Sequence, residues 1–170
     1  MSIAIAAFFD DETDRAVRGL WSALAAAGLP SLSSGSGEPY PPHATLVMAD
    51  SFDGVDWNTV RAAVDPSPIG AEVVLDGVGA FPGDEGVTYL RVRHSATLDR
   101  LQSQLHRALA ATGIAIDQFH APDLWVPHVT LAIHASEADR DAAARVLSGR
   151  TGLTARIAAI GTGVGPMLIS

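Results

Sequence analysis

Apolar residues run almost unbroken from Ile3 to Phe9 and stop abruptly at Asp10-Asp11. A run that short, closed by charge, reads as a buried strand, and an aspartate just after it reads as a helix N-cap. Val17, Leu20, Leu24 and Ala27 then recur at helical spacing, and Gly28 is placed to supply a left-handed C-cap. The same grammar returns at mid-chain. "VTYLRVR" is the strand, Ser95 the cap, Leu98, Leu101, Leu105 and Leu109 the apolar stripe, and Gly113 the stop.

Each strand–helix unit leads through a loop to a further apolar stretch, "YPPHATLV" at 40–47 and "WVPHVTLA" at 125–132. The first loop, "PSLSSGSGEPYPP", is rich in Ser, Gly and Pro and has the composition of a mobile active-site flap. Short helices follow: one over about 56–64, closed by Pro66, and one starting at Ser136 with Asp139 in capping-box position and ending near Gly149. "GAEVVLDGVGAF" and "LTARIAAIG" supply final strands, and "AFPGDEGVT" at 80–88 is a turn.

The two Pro-His-x-Thr-Leu strings lie 85 positions apart, half of the 170-residue chain. Sliding the chain by that offset aligns Asp14-Arg15 with Asp99-Arg100, residues 23–26 with 108–111, and Gly28 with Gly113. These matches fall in corresponding elements, which is the signature of an internal duplication of about 1–85 and 86–170. The expected fold is therefore α+β (α/β): a single bilobal domain over 1–170, with pseudo-two-fold β-α-β-α-β lobes whose mostly antiparallel sheets line a central cleft.

In a strand, residues i and i+2 share a face. His43 and Thr45 project together, as do His128 and Thr130, and a two-fold axis would set both pairs across one cleft. Two imidazoles near neutral pKa suit general base and general acid roles. Two threonine hydroxyls suit hydrogen bonding to non-bridging phosphate oxygens, strengthened as charge builds in the transition state. Opening a 2′,3′-cyclic phosphate needs these groups and no metal. A zinc site on His43 and His128 lacks a third ligand of suitable spacing, so no cofactor is expected.

Other residues carry weaker signals. Tyr40 and Trp125 correspond under the repeat and either stack on a base at the cleft mouth or pack the loop before each strand. Tyr89, Arg91 and Arg93 alternate along one strand, and if their face is the cleft the arginines bind phosphate. Phe8 and Phe9 read as core. His134 lies six residues beyond His128, roughly 20 Å at strand rise. His94, His106 and His120 default to surface or structural roles, and "GTGVG" at 161–165 to a turn.

Composition narrows the partners. The net charge is −8 and all eleven basic residues are arginines. Such a chain is a poor ligand for a long duplex, so a small cyclic nucleotide or an RNA terminus is the expected partner. No cysteine is present, which excludes thiolate chemistry and disulfides. The opening "MSIAIAAFFDD" has no basic flank and too short an apolar run for a signal peptide, and no segment reads as membrane-spanning. The chain is read as a soluble cytoplasmic monomer.

With "HATL" and "HVTL" placed in a duplicated α/β chain of this length, the sequence resembles the 2H phosphoesterase superfamily, in particular its bacterial 2′-5′ RNA ligase and RNA 2′,3′-cyclic phosphodiesterase branch. The resemblance implies a metal-independent phosphoesterase acting on a 2′,3′-cyclic phosphate or a 2′-5′ phosphodiester, with His43, Thr45, His128 and Thr130 catalytic. Which imidazole is base and which acid depends on reaction direction; the resemblance favours His43 as the leaving-group acid and His128 as the activator of water. Tyr40, Trp125, Tyr89 and Arg91 are the substrate-binding candidates. Relatives often continue the second motif with arginine where this chain has Ile133, which argues against RNA ligation. The competing class is a binding module that holds a nucleotide or RNA end without turnover.

Overall fold

The computed structural model describes residues 3–34, 40–83, 85–162 and 167–169. The first apolar run is strand β1 (Ile3–Phe9), with Ile5, Ala7 and Phe9 in the core. Helix α1 (Asp11–Ala26) starts at Asp10, whose carboxylate accepts from the Thr13 backbone N–H at 3.0 Å and the Thr13 hydroxyl at 2.6 Å. Gly28 follows at φ +73°, the left-handed conformation that ends a helix cheaply only at glycine. Strand β2 (His43–Ala49), helix α2 (Trp57–Ala63) and strand β3 (Glu72–Ala80) complete the first half.

The second half repeats the order with β4 (Thr88–Val92), α3 (Ala96–Ala110), β5 (His128–Ala132), α4 (Glu137–Val146) and β6 (Leu153–Thr162). Ser95 caps α3, and Ser136 with Asp139 forms the capping box of α4. Leu98, Leu101, Leu105 and Leu109 are all at most 1% exposed, so each contributes roughly 1.5–3 kcal/mol of apolar burial. A short final strand, β7 (Met167–Ile169), has no counterpart in the sequence pattern; it pairs with Ile160 and Gly161 of β6. Of the expected flap, residues 35–39 lie outside the described residues, and Ser31 and Ser33 bond to the Trp21 carbonyl. Of "GTGVG", Gly161 and Thr162 belong to β6 and the rest lies outside the described residues.

Every strand pairing is antiparallel, in the order β1-β2-β5-β4-β3-β6-β7, with β1 also paired to β6. The pairings map onto each other under the half-chain shift: β1–β2 onto β4–β5, and β3–β4 onto β6–β1. The lobes, however, are not the two halves of the sequence, because β3 pairs with β4, the neighbour of β5, while β6 pairs with β1, the neighbour of β2, and β3 and β6 pair with each other to make one sheet. The helices cross likewise, α1 packing on α4 and α2 on α3. The cause is the tight connection after β3: a hairpin turn delivers the chain straight to β4, and strands so joined pair with each other. No helix of the described residues is long and apolar enough to cross a membrane.

Candidate active site

The two His strands, β2 and β5, are neighbours in the sheet. Ala44 of β2 pairs with Val129 of β5, and both side chains are 1% exposed in the core behind. Antiparallel continuation of that pair sets His43 opposite Thr130 and Thr45 opposite His128, all four on the other face. The shared face thus presents imidazole and hydroxyl in alternation, two of each.

Both imidazoles are held the same way. His43 Nδ1 lies 2.8 Å from the Pro41 carbonyl and His128 Nδ1 lies 2.7 Å from the Val126 carbonyl. A carbonyl can only accept, so each Nδ1 carries the proton and each Nε2 is left with its lone pair. The proline two residues before His43 and the valine two before His128 therefore act through backbone oxygen. Burial pushes both imidazole pKa values below the ordinary 6.5, against the opposing pull of those carbonyls. His128 also feels the positive charge of His120 and of His43, which places the two motif imidazoles within electrostatic reach.

Indole groups brace the strands from below. Trp125 Nε1 donates to the Thr45 carbonyl at 2.9 Å, and Trp21 Nε1 donates to the Thr130 carbonyl at 3.1 Å. These are corresponding jobs done by non-corresponding residues, since Tyr40 is the repeat partner of Trp125. Trp125 is 5% exposed, so its indole packs under β2 and the stacking alternative for it gives way to the packing one. Tyr40 is 53% exposed, with its ring edge-on to His43 at 6.4 Å.

The surroundings of the two histidines differ. Phe8 pairs with His43, and its ring lies 5.8 Å from the imidazole; half-buried on the site face, it is not the core residue its run suggests. On the other side Arg91 pairs with His128 and Tyr89 with Thr130, so both belong to the face that carries the two motif pairs. The Tyr89 ring lies 5.2 Å from His128, and Phe81, unmarked by any motif, stacks 4.5 Å from Tyr89 and 4.8 Å from His128. Arg93 is committed to an ion pair with Asp76. Phe81 escapes sequence reasoning because it sits in a turn, where the period-two rule assigns no face.

His120 is more involved than its isolation in sequence implies. Its backbone carbonyl is bonded by the buried Gln102, which also donates to the Leu46 carbonyl of β2. Its Nδ1 lies 3.5 Å from Asp117, and burial lowers its pKa too. His94 bonds Asp99 and touches Trp125 edge-on, while His134 is exposed past the end of β5. Ile133 is also exposed there, at 45%. Among the described residues no group of three or more His, Cys, Asp or Glu is gathered as a metal site.

Comparison with known proteins agrees with this architecture. The family model described as the 2′-5′ RNA ligase superfamily matches residues 9–162. TT0787 of Thermus thermophilus superposes with a TM-score of 0.61 at 18% identity, covering 95% of this chain and 87% of that one. Apo LigT of Escherichia coli gives 0.58 at 18% identity, over 80% of this chain and 73% of that one. Usb1 of Kluyveromyces marxianus, solved with uridine monophosphate, gives 0.57 at 11% identity over 99% and 97%. No curated protein matches the chain.

Proposed function

The chain belongs to the 2′-5′ RNA ligase superfamily of 2H phosphoesterases, and on that footing we propose that it hydrolyses a 2′,3′-cyclic phosphate, at an RNA end or in a small cyclic nucleotide, by paired histidine acid–base catalysis. A 2′-5′ phosphodiester is open to the same chemistry. The observation that carries this reading is the matched pair of imidazoles, each with Nδ1–H on a backbone carbonyl, on the face shared with Thr45 and Thr130.

The phosphate sits between the two strands, its non-bridging oxygens accepting from the Thr45 and Thr130 hydroxyls. Neutral His128 takes a proton through Nε2 from water as the water oxygen bonds to phosphorus. His43, entering as imidazolium, gives its Nε2 proton to the ribose oxygen as the P–O bond breaks. The products are a phosphomonoester and a free hydroxyl, and proton exchange with solvent resets the pair. When the reaction runs backward the two roles exchange, as microscopic reversibility requires. Tyr40 offers its exposed ring to the base. With Ile133 where relatives carry arginine, hydrolysis is favoured over ligation.

The second reading, a binding module, is separated by one assay. Incubating the protein with a panel of 2′,3′-cyclic nucleotides and RNA oligomers ending in cyclic phosphate should yield phosphomonoester product. Saturable binding with no product from any member would assign the binding module instead.

A further inference from the structure

β3 carries a glycine at two alternate positions, and each is filled by a side chain from β4. A Cβ on Gly79 would fall 2.5 Å from the Tyr89 ring, and one on Gly77 would fall 2.8 Å from Arg91 Nη2. The two side chains therefore lie across β3, the Tyr89 ring in a space that a Cβ at 79 would close and the Arg91 guanidinium seated over Gly77, where the positive φ favours glycine. At Gly77 the ladder bulges between Leu75 and Val78, the backbone takes φ +73°, and Arg91 Nη2 donates to the Val78 carbonyl at 3.3 Å.

This seat decides where the Arg91 charge sits. The guanidinium reaches β3, the second strand from β5, so it stands two strand spacings, about 10 Å, to the side of the His128 strand. In the proposed phosphoesterase reading the scissile phosphate lies on the opposite side of His128, between β5 and β2. Arg91 held over Gly77 is thus roughly 10–12 Å from the reacting phosphate, the span of a ribose together with an arginine–phosphate contact. It retains most of its five N–H donors. No ion pair engages it among the described residues, whereas Arg18, Arg93 and Arg156 are each held by a carboxylate.

We infer that Arg91, seated on Gly77, forms a second anion subsite that receives the 5′-phosphate of the nucleotide bearing the reacting group. Resting on the proposed phosphoesterase reading, this makes the preferred substrate one with a neighbouring phosphate, as at an RNA 3′ end, over a nucleoside cyclic monophosphate. A charge-assisted arginine–phosphate bond is worth about tenfold in affinity or more. The contact serves recognition, and the bond-making steps do not pass through it.

Isothermal titration with product-type ligands tests the subsite without requiring turnover. Adenosine 3′-monophosphate, adenosine 3′,5′-bisphosphate and the dinucleotide adenylyl-(3′,5′)-adenosine 3′-phosphate are the probes. The wild-type protein should bind the two 5′-phosphorylated ligands at least about tenfold more tightly than the monophosphate. That ratio should collapse towards one in Arg91→Ala and fall in Gly77→Ala, with folding of each variant checked by circular dichroism. A gain confined to the bisphosphate would identify a free 5′-phosphate as the ligand, and a gain with the dinucleotide an RNA end. A wild-type ratio near one, or a ratio that survives Arg91→Ala, overturns the inference. Absence of cyclic-phosphate hydrolysis with the ratio intact would count against the phosphoesterase reading and leave the subsite standing.

Discussion

At His43 and His128 two forces oppose each other: burial disfavours the imidazolium, while the Pro41 and Val126 carbonyls favour it. Burial is the larger, so in the free protein both groups titrate below 6.5. A reaction needing one neutral and one protonated imidazole is fastest between the two pKa values, which places the optimum of kcat/KM on the acid side of 6.5. A bound phosphate anion pulls both values upward, so kcat should peak at higher pH than kcat/KM. Parallel pH–rate profiles check this, and a kcat/KM that keeps rising above pH 7 would contradict it. The His and Thr positions were legible in the sequence because strand alternation alone assigns them a common face. Phe8 was not: its run is apolar at every position, so nothing in the pattern distinguished its face from that of Phe9.

Elements explain why four side chains on two strands hold a fixed geometry. β2 and β5 are joined through the single ladder pair Ala44–Val129, and the indoles of Trp125 and Trp21 bond the carbonyls of Thr45 and Thr130 from the core side. Replacing either tryptophan by phenylalanine keeps an aromatic ring and orphans a buried carbonyl, a loss of about 1–3 kcal/mol. Urea denaturation of Trp125→Phe and Trp21→Phe should show that loss, with kcat lowered more than KM is raised. Unchanged stability in both would show that the indole N–H groups do not brace the strands. Helix starts were readable at Asp10, Ser95 and Ser136, where a cap residue precedes an apolar stripe. The exchange of β3 and β6 between lobes was not, since local periodicity says that a strand exists and nothing about its neighbour. The tandem roles of Trp21 and Trp125 were hidden for the same reason: they are equivalent in space and unrelated under the 85-residue shift.

For the molecule as a whole, folding takes His43, His120 and His128 into surroundings that oppose their protonation. The unfolded chain binds more protons than the native one between the folded and unfolded pKa values. Stability from these groups is therefore complete above 6.5 and declines as pH falls below it. The carboxylates of Asp10, Asp56, Asp65 and Asp139, held low by hydrogen bonds, lose their contribution only in a separate window below about 3.8. Thermal melts should accordingly give a steady Tm from about pH 8 to 7 and a decline between about pH 6.5 and 5, before the carboxylates titrate. A Tm constant down to about pH 5 would contradict the burial of the site histidines. The paired His-x-Thr motifs were enough to point to phosphate chemistry, and a net charge of −8 argued against a long duplex as the partner. The asymmetry of that site, with Phe8 beside His43 and with Tyr89, Phe81 and Arg91 on the His128 side, emerged only once strand register was known. The most direct measurement is hydrolysis of a 2′,3′-cyclic nucleotide in EDTA by the wild-type protein and by His43→Ala and His128→Ala. Paired histidine catalysis predicts full wild-type turnover in the chelator and none detectable in either variant, whereas activity lost to EDTA, or retained in a variant, would contradict it.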